Sequence, residues 1–207
     1  MTTPQTLKGL KKKKNSANIR TLNSPALTQV EAGVFVGIDG GNLYRKLKEL
    51  DLPKLSEFDY FGLATKLNGG NKNIQCIYYV GQIREEPNNP KSNELKSRQD
   101  RLFANLKKQG ITVKTGYILK SGDKYQEKGV DVQLAVDICM KAVRNEYNKL
   151  ILVSSDTDLI PAVKEVRSLG KKVEYVGFDS RPSFALIRFS DSLTLLKKED
   201  LLPFVKK

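Results

Sequence analysis

The stretch of residues 149–161 constrains the fold of this chain more than any other. Residues 150–153 are all apolar, two serines follow them, and then come two aspartates one residue apart, Asp156 and Asp158. An apolar pattern with helical spacing begins immediately afterwards, at Leu159. This order predicts a buried strand, a tight turn and a helix. Open α/β sheets bind ligands beyond the carboxyl ends of their strands, so the two acids lie where we expect chemistry.

The same alternation of apolar runs and helical patterns continues along the chain. The charged, glycine-bounded residues 121–129 predict a loop, and the apolar spacing beyond them predicts a helix over residues 130–147. Alternating strands and helices predict an α/β fold in which helices flank a central parallel sheet of about five strands. The predicted strands cover residues 34–38, 74–80, 111–118, 150–153 and 172–177, with a short additional strand at 193–196.

Residues 1–31 differ from the rest of the chain and predict a flexible basic arm. They contain six lysines and arginines, no acid before Glu31 and no apolar periodicity. Segments of this composition are typically disordered. The arm either contacts nucleic-acid phosphates or is a solvated tail. Residues 32–207 are predicted to form one domain. Four of the cations in the arm are consecutive, namely Lys11, Lys12, Lys13 and Lys14.

The charge balance and one missing residue type narrow the classes of function. The chain has 36 lysines and arginines against 23 acids, a net charge of +13, which favours a polyanionic partner. It contains no histidine, so it lacks the usual general base at neutral pH and the commonest nitrogen ligand of metals. No apolar run is long enough to span a membrane. We therefore expect a cytoplasmic protein without a membrane partner.

A third acid ends the first predicted strand. Asp39 follows the apolar residues 34–38 and precedes two glycines. In the common doubly wound order the first and fourth strands are neighbours at the centre of the sheet. Asp39 is therefore expected to meet Asp156 and Asp158 at the carboxyl edge of the sheet.

The predicted helix over residues 130–147 offers a fourth acid. At 100° per residue, Asp131 falls within the wide apolar arc of this helix, at the N-terminus, where the helix dipole favours a negative charge. We expect Asp131 to reach the sheet edge. Asp137 falls on the opposite face, where we expect a surface ion pair with Lys141.

Four carboxylates that face one another need a cation. At separations of about 5 Å and an effective dielectric constant of about 20, each pair costs roughly 3 kcal/mol. Oxygen ligands without histidine or cysteine suit Mg²⁺ or Mn²⁺, and such ions assist the hydrolysis of phosphodiesters. Each acid also has a structural alternative, because Asp156 or Asp158 could cap the next helix and Asp39 could hold its turn. Asp131 could simply complement the helix dipole.

Four sequence blocks carry a family resemblance. They are residues 36–44 (VGIDGGNLY), 78–79 (YY), 128–137 (KGVDVQLAVD) and 152–161 (LVSSDTDLIP), followed by Ser183, Leu186 and Asp191. In this order and spacing they resemble the NYN domain of LabA-like proteins, within the PIN-like nucleases, over about residues 33–197. The resemblance implies a PIN-like fold and a ribonuclease site that depends on Mg²⁺ or Mn²⁺.

The resemblance also implies roles for single residues. It assigns Asn42 to positioning an acid or a phosphate, Ser154 to supporting the turn and Lys128 to contacting phosphate. Ser155 departs from the family, which often has glycine at this position. The implied metal ligands are Asp39, Asp131, Asp156 and Asp158.

Two functions follow from these observations. The first is a metal-dependent ribonuclease, expected to be an endonuclease, and the alternative is a non-catalytic RNA-binding or regulatory module with the same fold. Tyr44 either stacks on a base or packs in the core. Arg181 either guides phosphates or is a solvated surface charge. RNA is the expected partner, and self-association into a homo-oligomer is left open.

Overall fold

The computed structural model describes residues 33–83, 89–121 and 124–206. The predicted basic arm, with Lys11, Lys12, Lys13 and Lys14, lies outside the described residues. The strands in the described part are β1 (Gly33–Asp39), β2 (Ile74–Gln82), β3 (Thr112–Ser121), β4 (Lys124–Lys128), β5 (Tyr147–Val153), β6 (Lys172–Phe178) and β7 (Ser192–Leu196). Within the described residues, these seven strands form one sheet in the order β4-β3-β2-β1-β5-β6-β7. The predicted α/β class is confirmed.

The helices connect these strands and cover both faces of the sheet. They are α1 (Gly40–Glu49), α2 (Tyr60–Leu67), α3 (Pro90–Lys108), α4 (Val130–Val143), α5 (Ile160–Ser168), α6 (Phe184–Phe189) and α7 (Lys198–Leu201). None of the helices in the described ranges combines the length and hydropathy that crossing a bilayer requires.

Two apolar cores lie on opposite faces of the sheet because successive side chains of a strand point to opposite sides. On one face, Ile38 of β1 packs in a cluster with Leu47 of α1 and Leu102 of α3. On the other face, Phe35 of β1 belongs to a cluster with Leu134 of α4 and residues of α5 and α6. The central strands are thus buried on both faces, which explains their continuous apolar runs.

β1 lies at the centre of the sheet, between β2 and β5. β1 and β5 are parallel, and Ile38 is paired with Val153. Asp39 and Ser154 follow these two residues and therefore leave the sheet side by side. The predicted adjacency of the first and fourth strands is confirmed, and the carboxyl edge between them carries both acid-bearing turns.

The sheet is larger than predicted at one edge, and the short strand predicted at residues 193–196 is confirmed as β7 at the other edge. The prediction of a loop over residues 121–129 is wrong, because β3 pairs with β4 as an antiparallel hairpin in which Tyr117 is opposite Lys128. β4 consists largely of charged and polar residues, which are common on edge strands and hide the alternation of a strand. At the other edge, β7 pairs in parallel with β6. Among the described strands six are parallel, which confirms the parallel sheet and agrees with the five predicted strands together with the short additional one.

α4 is shorter and more exposed than predicted. It ends at Val143, since Asn145 has a positive φ of 55° and Tyr147 already belongs to β5. A helix that lies on a sheet buries only one narrow stripe. The expectation that the wide apolar arc of this helix is buried was therefore wrong. The buried residues of α4 are Val130, Leu134, Ile138 and Ala142. The exposed apolar residues include Val132, Val136 and Val143, which are 66%, 49% and 57% exposed.

Candidate active site

Asp39 is the centre of the candidate site. It is the last residue of β1 and the N-cap of α1, and only 6% of it is exposed. One carboxylate oxygen accepts a hydrogen bond from the backbone N–H of Asn42 at 2.9 Å. The other accepts a hydrogen bond from the hydroxyl of Ser154 at 2.8 Å. The carboxylate is therefore held from two elements, the first turn of α1 and the end of β5.

Gly40 allows the chain to turn tightly beside Asp39. A Cβ at this position would lie 2.1 Å from the ring of Tyr78 and 2.7 Å from the carbonyl oxygen of Tyr79. The hydroxyl of Tyr78 donates a hydrogen bond to the carbonyl of Gly40 at 3.1 Å. Glycine at this position thus brings the backbone of α1 against β2 and fixes the direction in which Asp39 leaves the sheet.

The turn after β5 links Asp39 to Asp156. The buried hydroxyl of Ser154, which donates to Asp39, accepts a hydrogen bond from the backbone N–H of Asp156 at 3.1 Å. The side chain of Asp156 accepts a hydrogen bond from the backbone N–H of Asp158 at 2.9 Å and caps the 3-10 turn Thr157–Leu159 before α5. The capping role considered as an alternative for Asp156 is therefore present, and the same turn brings Asp156 close to Asp39.

The electrostatic environment of Asp39 opposes its negative charge. Burial raises the pKa of Asp39 above its ordinary value, and the charge of Asp156 raises it further. The hydrogen bonds from Asn42 and Ser154 and the charge of Arg45 act in the opposite direction without cancelling the rise. Sequence reasoning missed Arg45, although its place on α1, six residues after Asp39, was a usable signal. The protein thus does not fully compensate the charge of Asp39.

The structure does not bring all four predicted ligands together. Asp131 and Asp158 are both exposed, at the starts of α4 and of the 3-10 turn. The expectation that Asp131 lies on the buried stripe was wrong, because the first turn of a helix has fewer neighbours than its middle and the wheel angle does not report depth. Across the described ranges, no group of three or more acidic, histidine or cysteine side chains could hold a metal ion.

Asp137 was expected at the surface with Lys141, and this was wrong. Its carboxylate accepts hydrogen bonds from Tyr79 at 2.7 Å and from Lys114 at 2.6 Å. Lys141 instead forms an ion pair with Glu146 at 2.6 Å. Asp137 therefore ties α4 to β2 and β3.

The carboxylate oxygens of Asp39 and Asp156 are ligands of the type that a hard divalent cation prefers. Asp39 and Asp156 offer carboxylate oxygens only, and a bound cation would relieve the repulsion between their charges. Mg²⁺ commonly binds through one or two carboxylates together with waters and substrate phosphates. Two neighbouring carboxylates are therefore sufficient for such an ion, although four were expected.

Ser155, the departure from the family pattern, connects the site to the next loop. Its hydroxyl lies 3.3 Å from the hydroxyl of Tyr175 on β6, and the Tyr175 hydroxyl accepts a hydrogen bond from the backbone N–H of Ser183 at 3.0 Å. Ser183 caps α6, which begins at Phe184. The serine therefore has a structural use that glycine could not provide.

Three of the predicted RNA contacts lie within the described residues. Lys128 is exposed at the end of β4, and Arg181 is exposed in the turn after β6. Tyr44 does not pack in the core, since it is 41% exposed on α1. It lines a cavity of about 550 Å³ next to Gly40 and Gly41, which sequence reasoning did not detect.

The known proteins that resemble this chain include the following two. An uncharacterized protein, MJ0482, of Methanocaldococcus jannaschii is 26% identical over 162 residues, which make up 78% of this chain and 54% of that protein. The chain thus spans about half the length of this relative. The crystal structure of a protein of unknown function, VPA0982, from Vibrio parahaemolyticus RIMD 2210633 superposes with a TM-score of 0.60 at 21% identity, covering 84% of this chain and 98% of that one. At this identity the similarity shows the fold alone.

The match to a family model is more extensive. The model of the NYN domain matches residues 33–197, from the first residue of β1 to the end of β7. The matched region contains Asp39, Asp131, Asp156 and Asp158. The chain belongs to the NYN domain family, within the PIN-like nuclease superfamily.

Proposed function

We propose that this chain is a metal-dependent ribonuclease that cleaves RNA internally, with Asp39 and Asp156 at its centre. The observation that carries the proposal is the buried carboxylate of Asp39, held by Ser154 and Asn42 beside the charge of Asp156. Burial and the nearby charge of Asp156 make the ionised form of Asp39 costly, although the carboxylate caps α1. Acids perturbed in this way are common at functional sites, and a bound cation would offset the cost of the charge.

In this proposal, Asp39 and Asp156 hold a Mg²⁺ or Mn²⁺ ion. The ion would supply charge neutralisation at the phosphate and a lowered pKa of the attacking water. Ser154 and the backbone N–H of Asn42 fix the orientation of the Asp39 carboxylate, and Ser154 also holds the backbone of Asp156. These contacts remove the need to reorganise the site when RNA binds.

Asp131 and Asp158 are assigned to the outer part of the same site. α4, which begins with Val130 and Asp131, contacts the 3-10 turn that contains Asp158. From exposed positions their carboxylates can accept hydrogen bonds from the waters around the ion. We therefore propose that they support metal binding without being required for it to the same degree as Asp39.

The basic character of the chain supports RNA as the substrate. Lys128 and Arg181 contact phosphates in this proposal, Tyr44 stacks on a base, and the arm adds further positive charge. The arm residues concerned are Lys11, Lys12, Lys13 and Lys14. A LabA-like relationship, a cytoplasmic location and self-association remain predictions.

The test is RNA cleavage with and without Mg²⁺ or Mn²⁺, using a circular single-stranded RNA that only an endonuclease can open. We expect cleavage that requires the ion and that falls at least 100-fold in Asp39→Asn and Asp156→Asn, because each substitution removes a charged ligand. Asp100→Asn, on the exposed face of α3, is the matched control and should cleave normally. Equal cleavage by Asp39→Asn and the wild type would refute the proposal.

The second candidate is a non-catalytic RNA-binding module. The observation in its favour is that no three ligating side chains meet in the described residues. It predicts salt-sensitive binding of the same RNA without turnover in either ion, and binding that is unchanged by Asp39→Asn. Fluorescence anisotropy of labelled RNA separates the two candidates when it is measured together with cleavage.

A further inference from the structure

A cavity of about 550 Å³ opens beside the candidate site. It lies between α1 and α3, and its lining includes Gly40 and Gly41, the residues that directly follow Asp39. Pockets for organic ligands usually measure about 300 to 1,000 Å³. The cavity is therefore large enough for an organic group attached to whatever Asp39 and Asp156 bind.

The interior of the cavity is apolar. Its lining includes the ring of Tyr78 and the side chains of Leu52, Val80 and Leu102, which come from β2, α3 and the loop after α1. The hydroxyl of Tyr78 is already used by the carbonyl of Gly40. A flat ring that enters the cavity would therefore leave this hydroxyl in its hydrogen bond with Gly40.

The side-chain amide of Gln99, in the wall of the cavity, already forms hydrogen bonds within the protein. The amide nitrogen of Gln99 donates to the carbonyl of Gly81 at 2.8 Å, and its amide oxygen accepts from the backbone N–H of Ile83 at 2.8 Å. Gln99 thus holds the end of β2 and is poorly placed to read the edge of a ligand. Selection in the cavity would depend on shape and stacking more than on hydrogen bonds.

The surroundings of the cavity are positively charged. Four exposed cations line it, of which Arg98 is paired with Glu94, and no acid belongs to its lining in the part of the chain that the structure describes. Tyr44, at 41% exposure, presents a ring at the same opening. An apolar interior, an exposed aromatic ring and surrounding cations are the features with which proteins bind single-stranded nucleic acids. The four cations are Lys48, Lys54, Arg98 and Arg101.

We propose that this cavity holds a nucleobase of a single-stranded RNA whose neighbouring phosphodiester lies at Asp39 and Asp156. The proposal rests on the proposed function for the position of that phosphodiester. The base stacks on Tyr44 and enters between α1 and α3, while the surrounding cations neutralise the adjacent phosphates. Because Gln99 is occupied, the cavity accepts different bases and requires an unpaired one.

The experiment measures binding of a short fluorescein-labelled single-stranded RNA in EDTA, where the proposed cleavage does not occur. The same RNA is then prepared with one abasic nucleotide at each position in turn. In the wild type, an abasic nucleotide at one position should weaken binding about 5- to 150-fold, the range found for stacked bases. The other positions should change binding much less.

Two variants locate this effect in the cavity. Leu95→Trp places a larger side chain at the cavity, and Tyr44→Ala removes the ring; both residues are about 40% exposed, so folding should not depend on them. In both variants the position-specific loss should disappear. It should persist in Tyr44→Phe, which keeps the ring, and in Leu169→Trp, a matched leucine that is 40% exposed elsewhere on the chain.

The outcomes separate this proposal from the proposed function. If no position is special, or if Leu95→Trp and Leu169→Trp behave alike, the cavity does not hold a base, whether or not the chain cleaves RNA. If the position-specific loss follows the cavity variants but no ion supports cleavage, the base site stands and the ribonuclease proposal fails.

Discussion

At the scale of single residues, Asp39 combines two properties that oppose each other in the absence of a ligand. Its carboxylate is well hydrogen-bonded by Asn42 and Ser154, yet burial and the charge of Asp156 raise its pKa. The hydrogen bonds fix its geometry, whereas the burial makes its charge costly. This combination favours binding of a cation over stability of the protein alone.

Asp39→Asn should therefore stabilise the protein at neutral pH when no divalent ion is present. A raised pKa in the folded state means that the protonated acid favours folding below its ordinary value of 3.8, and that this contribution is lost as the pH rises through the folded-state pKa. Asparagine has a similar shape and no charge. We expect the free energy of unfolding of Asp39→Asn at pH 7 to exceed that of the wild type by on the order of 1 kcal/mol. Urea denaturation in EDTA measures this difference.

Two controls accompany this measurement. The gain should shrink as the pH is lowered toward 3.8, where the wild-type acid also becomes neutral. Excess Mg²⁺ should stabilise the wild type by about 2.7 kcal/mol at 100 times its Kd and should leave Asp39→Asn almost unchanged. An Asp39→Asn variant less stable than the wild type in EDTA would show that the hydrogen bonds of the Asp39 carboxylate outweigh the cost of its charge.

At the scale of elements, α4 carries both an outer acid of the site and a tether to the sheet. Asp131 lies in its first turn, and Asp137 lies two turns later at the contact with β2 and β3. The tether therefore sets how α4 lies on the sheet, and with it the position of Asp131. A change at Asp137 acts on the site only through this helix.

Asp137→Asn should destabilise the protein by about 1.5 to 3 kcal/mol at pH 7, the range for hydrogen bonds to a charged group. Burial raises the pKa of Asp137, but the hydrogen bonds from Lys114, Tyr79 and Gln133 and the charge of Lys114 hold it below its ordinary value. Its stabilising effect is therefore present above pH 3.8 and is lost as the pH falls through the folded-state pKa. Urea denaturation at a series of pH values measures this.

The matched control is Asp100→Asn on α3. Asp100 forms an exposed ion pair with Lys96 one helical turn away, and such pairs contribute about 0 to 1 kcal/mol. If Asp137→Asn costs no more than Asp100→Asn at pH 7, the tether does not stabilise the position of α4.

The same helix shows which features local sequence patterns can predict. The strands that end at Asp39 and before Ser154 were predicted because their signals lie in neighbouring residues. A helical wheel gives the angle of Asp137 but not its partners, and these come from β2 and β3, far away in the sequence. β4 escaped detection because an edge strand needs no apolar face.

At the scale of the whole molecule, the candidate site combines local acidity with a basic chain. The net charge is +13, and the carboxyl edge of the sheet carries the acids. The positive charges attract a polyanion, and a cation bound by the acids would lower their repulsion of its phosphates. This division explains how a basic protein can contain a site that would otherwise repel RNA.

The arm should contribute to RNA binding through charge. Replacing Lys11, Lys12, Lys13 and Lys14 by glutamine keeps the chain length and removes four of the six cations before residue 31. For single strands the logarithm of the affinity falls with the logarithm of the salt concentration by about 0.7 per phosphate contact. If all four lysines contact phosphates, the slope should decrease by about 3, measured by fluorescence anisotropy between low and physiological salt.

Lys107→Gln combined with Lys108→Gln is the control, because these exposed lysines end α3 just before β3 begins, at the edge of the sheet opposite Asp39. This double variant should leave the slope unchanged if RNA binds at the carboxyl edge. A slope that is the same in the arm variant and the wild type would mean that the arm contacts no phosphate. RNA binding would then depend on cations of the folded domain alone. The cations that line the cavity beside Asp39 would be the next residues to replace by glutamine.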